Sequence, residues 1–232
     1  MIKNTTKRVK SLKIHFHIAK NKKAKVVADE LLSLYGQVDL SKAEVIVAVG
    51  GDGAMLAAMR ESITYNIPVF GLNRGNIGFL MNDFHKLNLI ERLKDANEII
   101  VHPLEMVAVD SKNKKYVELA INEVAIFRRT HQSAIISIKI DDTERLSGLT
   151  CDGVMVATPV GSTAYNLSAH GPILPIGSEI LALTPISPFR PRRWKGKIVG
   201  DKLKITIANL NSAKRPISAV ADNLEVRNAK SI

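Results

Sequence analysis

The chain has 232 residues, 46% of them hydrophobic and 24% charged, the composition of a globular protein with apolar material for one large core or two modest ones. Its longest apolar runs, such as Val45 to Val49 and Ala134 to Ile136, fall far short of the roughly 20 residues a membrane-spanning helix needs, so no membrane partner is expected. A formal net charge of +11 and a pI near 9.8 point to anionic partners: nucleic acid, an acidic membrane surface or a small polyphosphate ligand. Aromatic residues make up only 5% and form no basic stacking stripe, which argues against nucleic acid. Lys3, Lys7, Arg8 and Lys10 are followed by no apolar signal-peptide core, and the single cysteine, Cys151, cannot form an internal disulfide; a cytoplasmic protein is expected.

In chain order the pattern first alternates strand and helix. His15 to Ile18 reads as a strand, and Ala24 to Leu34 as a helix with Val27, Leu31 and Leu34 on one face, ended by Gly36. Strand Val45 to Val49, helix Ala54 to Ser62 and strand Pro68 to Gly71 form a βαβ unit whose strand C-termini should face a ligand. Asp52 and Asn73 then share one sheet edge, and a helix from Leu87 to Ala96 closes this half, with Leu87, Ile90 and Leu93 on one face. After Pro103 the runs become short and β-branched: Met106 to Asp110, Tyr116 to Ile121, Val124 to Phe127, Ala134 to Ile140, Val154 to Ala157 and Leu203 to Ile207. They predict a mainly antiparallel sheet, interrupted by one helix near Ser162 to Ala169. The expected domains are residues 1–101 and 102–232, packed directly with a cleft between them, with a return of the last segment to the first left open.

Gly50-Gly51-Asp52-Gly53 lies between an apolar strand and an apolar helix, where backbone N–H groups can meet phosphate oxygens. A carboxylate repels phosphate, so Asp52 makes sense there as a base for a hydroxyl or as a metal handler, unless it is an ordinary helix cap. The turn fits neither the G-x-G-x-x-G pattern, since Leu56 stands at the last glycine, nor a Walker loop, since no lysine follows. Asn73 to Leu80 is a second glycine-containing loop at the same edge; it suits a phosphate-bearing ligand or a plain βα connection. Asn122-Glu123 puts two polar side chains in the otherwise apolar stretch Leu119 to Phe127, which calls for a ligand with hydroxyls or an amine, or for a bulge or turn. From Thr158 to Pro172, hydroxyls, a turn and a helix start are concentrated, ready for phosphate or ribose or for turn and cap chemistry alone. Cys151 has no base beside it and is assigned no role, His170 reads as a packed turn residue, and Arg190 to Lys195, the densest positive patch, reads as a solvated or intersubunit loop.

Taken in this order, Gly50 to Gly53, Asn73 to Leu80, Asn122-Glu123, Asp152-Gly153, Thr158 to Tyr165 and Leu167 to Pro172 resemble the NAD kinases, over about residues 45 to 172. The Gly-Gly-Asp-Gly element is shared with phosphofructokinases and diacylglycerol-type lipid kinases; the Asn-Glu pair and the Thr-Pro-x-Gly-Ser-Thr-Ala-Tyr run are particular to NAD kinases. Ser168 to Pro172 and Pro188 to Arg193 resemble short bacterial members. The resemblance implies a Rossmann-like α/β N-terminal domain, a C-terminal domain of stacked β-sheets, and transfer of the γ-phosphoryl of ATP to the adenosine ribose 2′-hydroxyl of NAD.

By the same resemblance Asp52 is the base, Gly53 lets the ligand approach, and Gly50, Gly51, Gly53 and Asn73 form the phosphate loop. Phe79 packs on the dinucleotide, Asn122 and Glu123 hold a ribose, and Thr163, Ala164, Tyr165, Asn166 and Ser168 line the NAD pocket. Asp152 is implied to reach a ligand in an adjoining subunit of a homodimer or homotetramer, and Ser187 and Asp222 complete the set. A divalent cation, Mg²⁺, accompanies ATP without a protein metal site, and polyphosphate is an alternative donor. Val160 departs from a usual threonine and His170 from a common glycine. A sugar or lipid kinase sharing only the Gly-Gly-Asp-Gly turn and a basic nucleic-acid-binding protein remain as alternatives.

Overall fold

The structure, a computed structural model, describes residues 12–76 and 78–232; Lys3, Lys7, Arg8, Lys10 and Ile77 lie outside the described residues. The chain divides into two compact units that meet in sequence between Glu98 and Ile99.

In the first unit, β1 (Ile14–Ile18), β2 (Val45–Gly50) and β3 (Val69–Asn73) form a parallel sheet in the order β1-β2-β3. Every residue of β2 is buried, as expected of a central parallel strand covered on both faces. The period of two sorts its side chains. Val45, Val47 and Val49 join Ile14, Phe16, Leu72 and residues Ala24, Val27 and Leu31 of helix α1 (Lys22–Tyr35), whereas Ile46 and Ala48 join Ala58 of helix α2 (Asp52–Tyr65). Asn21 caps α1 by accepting from Ala24 N–H, and Gly36, at φ 76°, ends it in a conformation that favours glycine. Leu34, expected on the buried face, is exposed, because the stripe is set by Ala24, Val27 and Leu31.

The expected helix Ala54 to Ser62 begins earlier, so that Asp52 is its first residue with Gly51 as the cap. The helix expected over Leu87 to Ala96 is shortened to α3 (Leu89–Lys94); Leu87 is exposed and Leu89 takes its place in the core.

The second unit is one antiparallel sheet. Its strands are β4 (Leu104–Asp110), β5 (Lys115–Ala120), β6 (Glu123–Arg128), β7 (Ala134–Ile140), β8 (Thr143–Cys151), β9 (Gly153–Ala157), β10 (Ile180–Ile186), β11 (Lys197–Gly200), β12 (Ile205–Asn209), β13 (Ile217–Ala221) and β14 (Leu224–Ser231). They run in the order β11-β10-β9-β6-β13-β14-β12-β7-β8, with β4 joined to β14 and β5 to β4. The core gathers Met106, Ile126, Ile136, Ile138, Leu149, Val154 and Ile207.

The helix expected from Ser162 to Ala169 is a 3₁₀ turn, Gly161–Thr163, followed by the four-residue α4 (Tyr165–Ser168), because Ala164 leaves helical geometry at ψ −128°. The last segment, expected as a possible return to the first domain, pairs here through β14 with β13, β12 and β4. Among the described residues no helix is long and apolar enough to cross a membrane.

Candidate active site

In the first unit, β2 and β3 end side by side, with Gly50 opposite Asn73. Glycine is required where the chain leaves β2: a Cβ on Gly50 would lie 2.6 Å from that of Ala54 and 2.8 Å from that of Ala19. The two loops also touch backbone to backbone, since a Cβ on Gly75 would lie 2.9 Å from Gly51 Cα, and Asn73 Oδ1 accepts from Gly75 N–H at 2.9 Å. Asp52 Oδ2 accepts from Phe79 N–H and Oδ1 from Leu80 N–H, both at 3.0 Å. The carboxylate is thus fixed by the second loop instead of capping its own helix. Each oxygen keeps a further lone pair for a hydroxyl proton. A Cβ on Gly53 would meet nothing within 4 Å, and the ring of Phe79 is exposed.

In the second unit, Asn122-Glu123 forms neither a bulge nor a strand interior: the chain bends at Ile121 and Asn122, and Glu123 opens β6. The bend is held by Asp222, which has left-handed backbone at φ 52° and accepts from the N–H groups of Ile121, Asn122 and Glu123 at 2.8, 2.9 and 3.2 Å. Thr158 Oγ1 donates to Ile121 O at 2.7 Å and accepts from Gly161 N–H. Gly161 packs so tightly that a Cβ would lie 2.2 Å from Asn122 O. At this bend two buried acceptors, Asn122 Oδ1 and Glu123 Oε2, have no partner among the described residues. Burial, and then the charge of Asp222, push the Glu123 carboxyl up to about 7. Near neutrality it can therefore donate as well as accept.

Asn166, expected in the pocket lining, is fully buried. Its Nδ2 donates to Ser162 O and Pro172 O, and its Oδ1 accepts from Thr184 Oγ1 at 2.6 Å. It clamps the segment from Ser162 to Pro172, and Gly171 packs on its amide. Thr163 and Ala164 are half-buried beside it, and Tyr165 stacks on Phe127 at 5.9 Å.

A cavity of about 530 Å³ opens next to this segment, lined by Tyr165, Ser168, His170, Ser187, Trp194 and Lys195 among others. It brings Ser168 and Ser187 together. His170, expected as a packed turn residue, is exposed on it; Trp194 and Lys195 form part of its wall, while Arg190 to Arg193 are exposed, as expected of a solvated loop. His170 and Ser187 reach this position through left-handed backbone, at φ 63° and 47°, which no sequence pattern announces.

Asp152 is half-buried and ion-paired, with Oδ1 2.6 Å from Arg128 Nε. Cys151 is buried, and burial pushes its thiol up to about 12, which leaves no nucleophilic thiolate near neutrality. Val160 is buried as well. Among the described residues no group of three or more His, Cys, Asp or Glu is placed to hold a metal ion. Sequence reasoning gave no separate role to Thr158 or to Arg74, whose N–H donates to Gly50 O at 2.5 Å, and passed over Thr184; the two threonines lock these loops.

Two family models match the sequence: the ATP-NAD kinase N-terminal domain over residues 2–99 and the ATP-NAD kinase C-terminal domain over residues 121–230. A curated NAD kinase of Caulobacter vibrioides is 48% identical over 220 residues, 95% of this chain and 85% of the relative. One of Rhizobium meliloti is 50% identical over 204 residues, 88% of this chain and 79% of the relative. Among solved structures, an NAD kinase from Archaeoglobus fulgidus in complex with ATP matches with a TM-score of 0.68 at 28% identity, over 95% of this chain and 87% of that one. Yeast NADH kinase complexed with NADH matches with a TM-score of 0.70 at 28% identity, over 81% of this chain and 56% of that one.

Proposed function

The chain belongs to the ATP-NAD kinase family and so is an enzyme that phosphorylates NAD with ATP as donor; on that premise we propose that Asp52 is the base of the reaction. The adenosine ribose 2′-hydroxyl gives its proton to the Asp52 carboxylate, O2′ forms a bond to the γ-phosphorus, and the bond from that phosphorus to the β-phosphate oxygen breaks, releasing ADP and NADP. The observation that carries this reading is the Asp52 carboxylate itself, fixed by Phe79 and Leu80 N–H beside Gly53, where a Cβ would meet nothing within 4 Å. Phosphoryl transfer through a loose transition state depends mainly on positioning and charge neutralisation, so a base contributes only about 10²–10⁴-fold. Gly50, Gly51, Gly53 and Asn73 make the phosphate loop, and Phe79 packs on the dinucleotide.

Asn122 Oδ1 and Glu123 Oε2 support a ligand bearing hydroxyl or amine donors, as the ribose and adenine of NAD do, because an unsatisfied buried acceptor costs about 1–3 kcal/mol. Thr163, Ala164, Tyr165, Ser168 and Ser187 contact NAD in this proposal, while Asn166 and Asp222 shape the pocket from behind. Mg²⁺ arrives with the triphosphate and is not held by a protein cage. The enzyme works as a homodimer or homotetramer in which Asp152 serves a neighbouring subunit's ligand, and it is cytoplasmic, which fractionation checks.

The test is to incubate the purified protein with NAD, ATP and Mg²⁺ and to detect NADP with a strictly NADP-dependent dehydrogenase. NADP formation is expected. Its absence, with polyphosphate also tried as donor, would contradict the reading.

A further inference from the structure

The feature that the site description leaves unused is a group of cations beside the Gly50 to Gly53 turn. Arg74 follows β3 directly, and its backbone is tied to the turn through Gly50 O. Its guanidinium lies over the ring of Phe84, 4.6 Å from the centroid, and its Nε donates to Lys23 O at 3.4 Å in an exposed hydrogen bond. Among the described residues its two terminal nitrogens have no acceptor, and no carboxylate lies within ion-pair distance. A guanidinium held in place with its terminal nitrogens open can take an anion from outside, and its fork matches phosphate oxygens.

A second observation is independent of Arg74. Helix N-termini favour acidic side chains, yet four of the six residues from Lys20 to Lys25 are lysines and the first turn of α1 has no acidic residue. Lys20 and Lys22 have no carboxylate partner among the described residues, and Lys23 Nζ donates to Asn76 Oδ1 at 2.9 Å, on the loop whose Phe79 and Leu80 hold Asp52.

We propose that Arg74, with Lys20, Lys22 and Lys23 beside it, is the cationic wall that holds the phosphates of the donor triphosphate. The proposal rests on the kinase reading and adds its donor-side residues. Arg74 neutralises charge that builds on the leaving β-phosphate oxygens, and its anchorage on Lys23 O and Phe84 fixes the guanidinium before the donor arrives.

The experiment compares wild type with Arg74→Lys, Arg74→Ala and the double variant Lys20→Gln/Lys22→Gln. It reads KM for ATP, KM for NAD, kcat, and the calorimetric affinity for inorganic tripolyphosphate, which needs no turnover. Arg74→Ala is expected to weaken tripolyphosphate and to raise the ATP KM by about tenfold or more, with the NAD KM within about twofold. Arg74→Lys, which keeps charge but loses the fork, falls between, and the lysine pair weakens both donor readouts while leaving the NAD KM unchanged. Unchanged tripolyphosphate affinity in the Arg74 variants, or ATP and NAD KM rising together, would overturn the proposal. A wild type that binds tripolyphosphate through Arg74 but makes no NADP would sink the kinase reading alone.

Discussion

Asp52 and Glu123 are two carboxyl groups with opposite surroundings. Asp52 sits half-exposed with one backbone N–H on each oxygen, whereas Glu123 has one oxygen buried and unpartnered next to Asp222. The folded chain therefore holds a proton on Glu123, at about 7, that the unfolded chain releases near the ordinary value of 4.5. With the folded value raised, stability is greatest below the unfolded value, falls as pH rises between the two, and is flat above about 7. Glu123→Gln should flatten that slope. Denaturant unfolding at pH 5 and pH 8 is expected to show wild type losing on the order of 2 kcal/mol more than the variant across this range, and parallel profiles would contradict it. At this scale the sequence marked the candidate residues, because an aspartate among glycines and an Asn-Glu pair among apolar residues break the local pattern. It did not announce their partners: Asp222, Phe79 and Leu80 lie far along the chain from the groups they hold, and Asn166 became a structural clamp because Thr184 and two carbonyls converge on it.

At the scale of elements, the glycines separate structural need from ligand need. A methyl on Gly75 would collide with the Gly51 backbone, but one on Gly53 would meet only open space within the chain. Gly75→Ala should thus lose about 1–3 kcal/mol of stability together with activity, as forced overpacking does. Gly53→Ala should keep or slightly raise the melting temperature, since alanine is favoured over glycine by up to about 1 kcal/mol within a helix. If Gly53 faces the ligand as proposed, turnover should still be mostly lost, because the new methyl would meet it; thermal unfolding and NADP formation read the two effects separately. Strands with clear alternation or apolar runs, such as Val45–Gly50 and Ala134–Ile140, were legible. β8, with Leu149 and Cys151 as its buried residues, and polar β14 were not, because their pairing is decided by neighbours. β10 carries Pro185, which is tolerated because its pairing with β11 ends at Leu183.

The whole molecule adds charge and assembly. A net charge of +11 gives long-range attraction for both anionic substrates, and raised ionic strength should increase the ATP KM more than the NAD KM, since the triphosphate carries more charge. The proposed oligomer is tested by mixing. If Asp152 serves a neighbouring subunit's site, Asp52→Asn and Asp152→Ala chains, each nearly inactive alone, should regain up to roughly a quarter of wild-type activity after co-refolding, because one site of each mixed pair is intact. Activity that stays at the level of the parents would confine each site to one chain. The two-part organisation was legible where strand–helix alternation gives way to short β runs after Pro103. The strand order was not, because β4, β6 and β14 find their neighbours across long sequence separations that no local pattern encodes.

The central claim is that Asp52 acts on the proton of the ribose hydroxyl and not merely as part of the binding surface. Asp52→Asn tests it most directly, with kcat from NADP formation and NAD affinity from calorimetry measured on the same preparation. The amide can still accept one of the two N–H bonds from Phe79 and Leu80, so the loops should stay in place. Loss of most turnover is expected, with NAD affinity kept within about tenfold, or ~1.4 kcal/mol. A loss of NAD affinity that matches the loss of turnover would contradict the assignment.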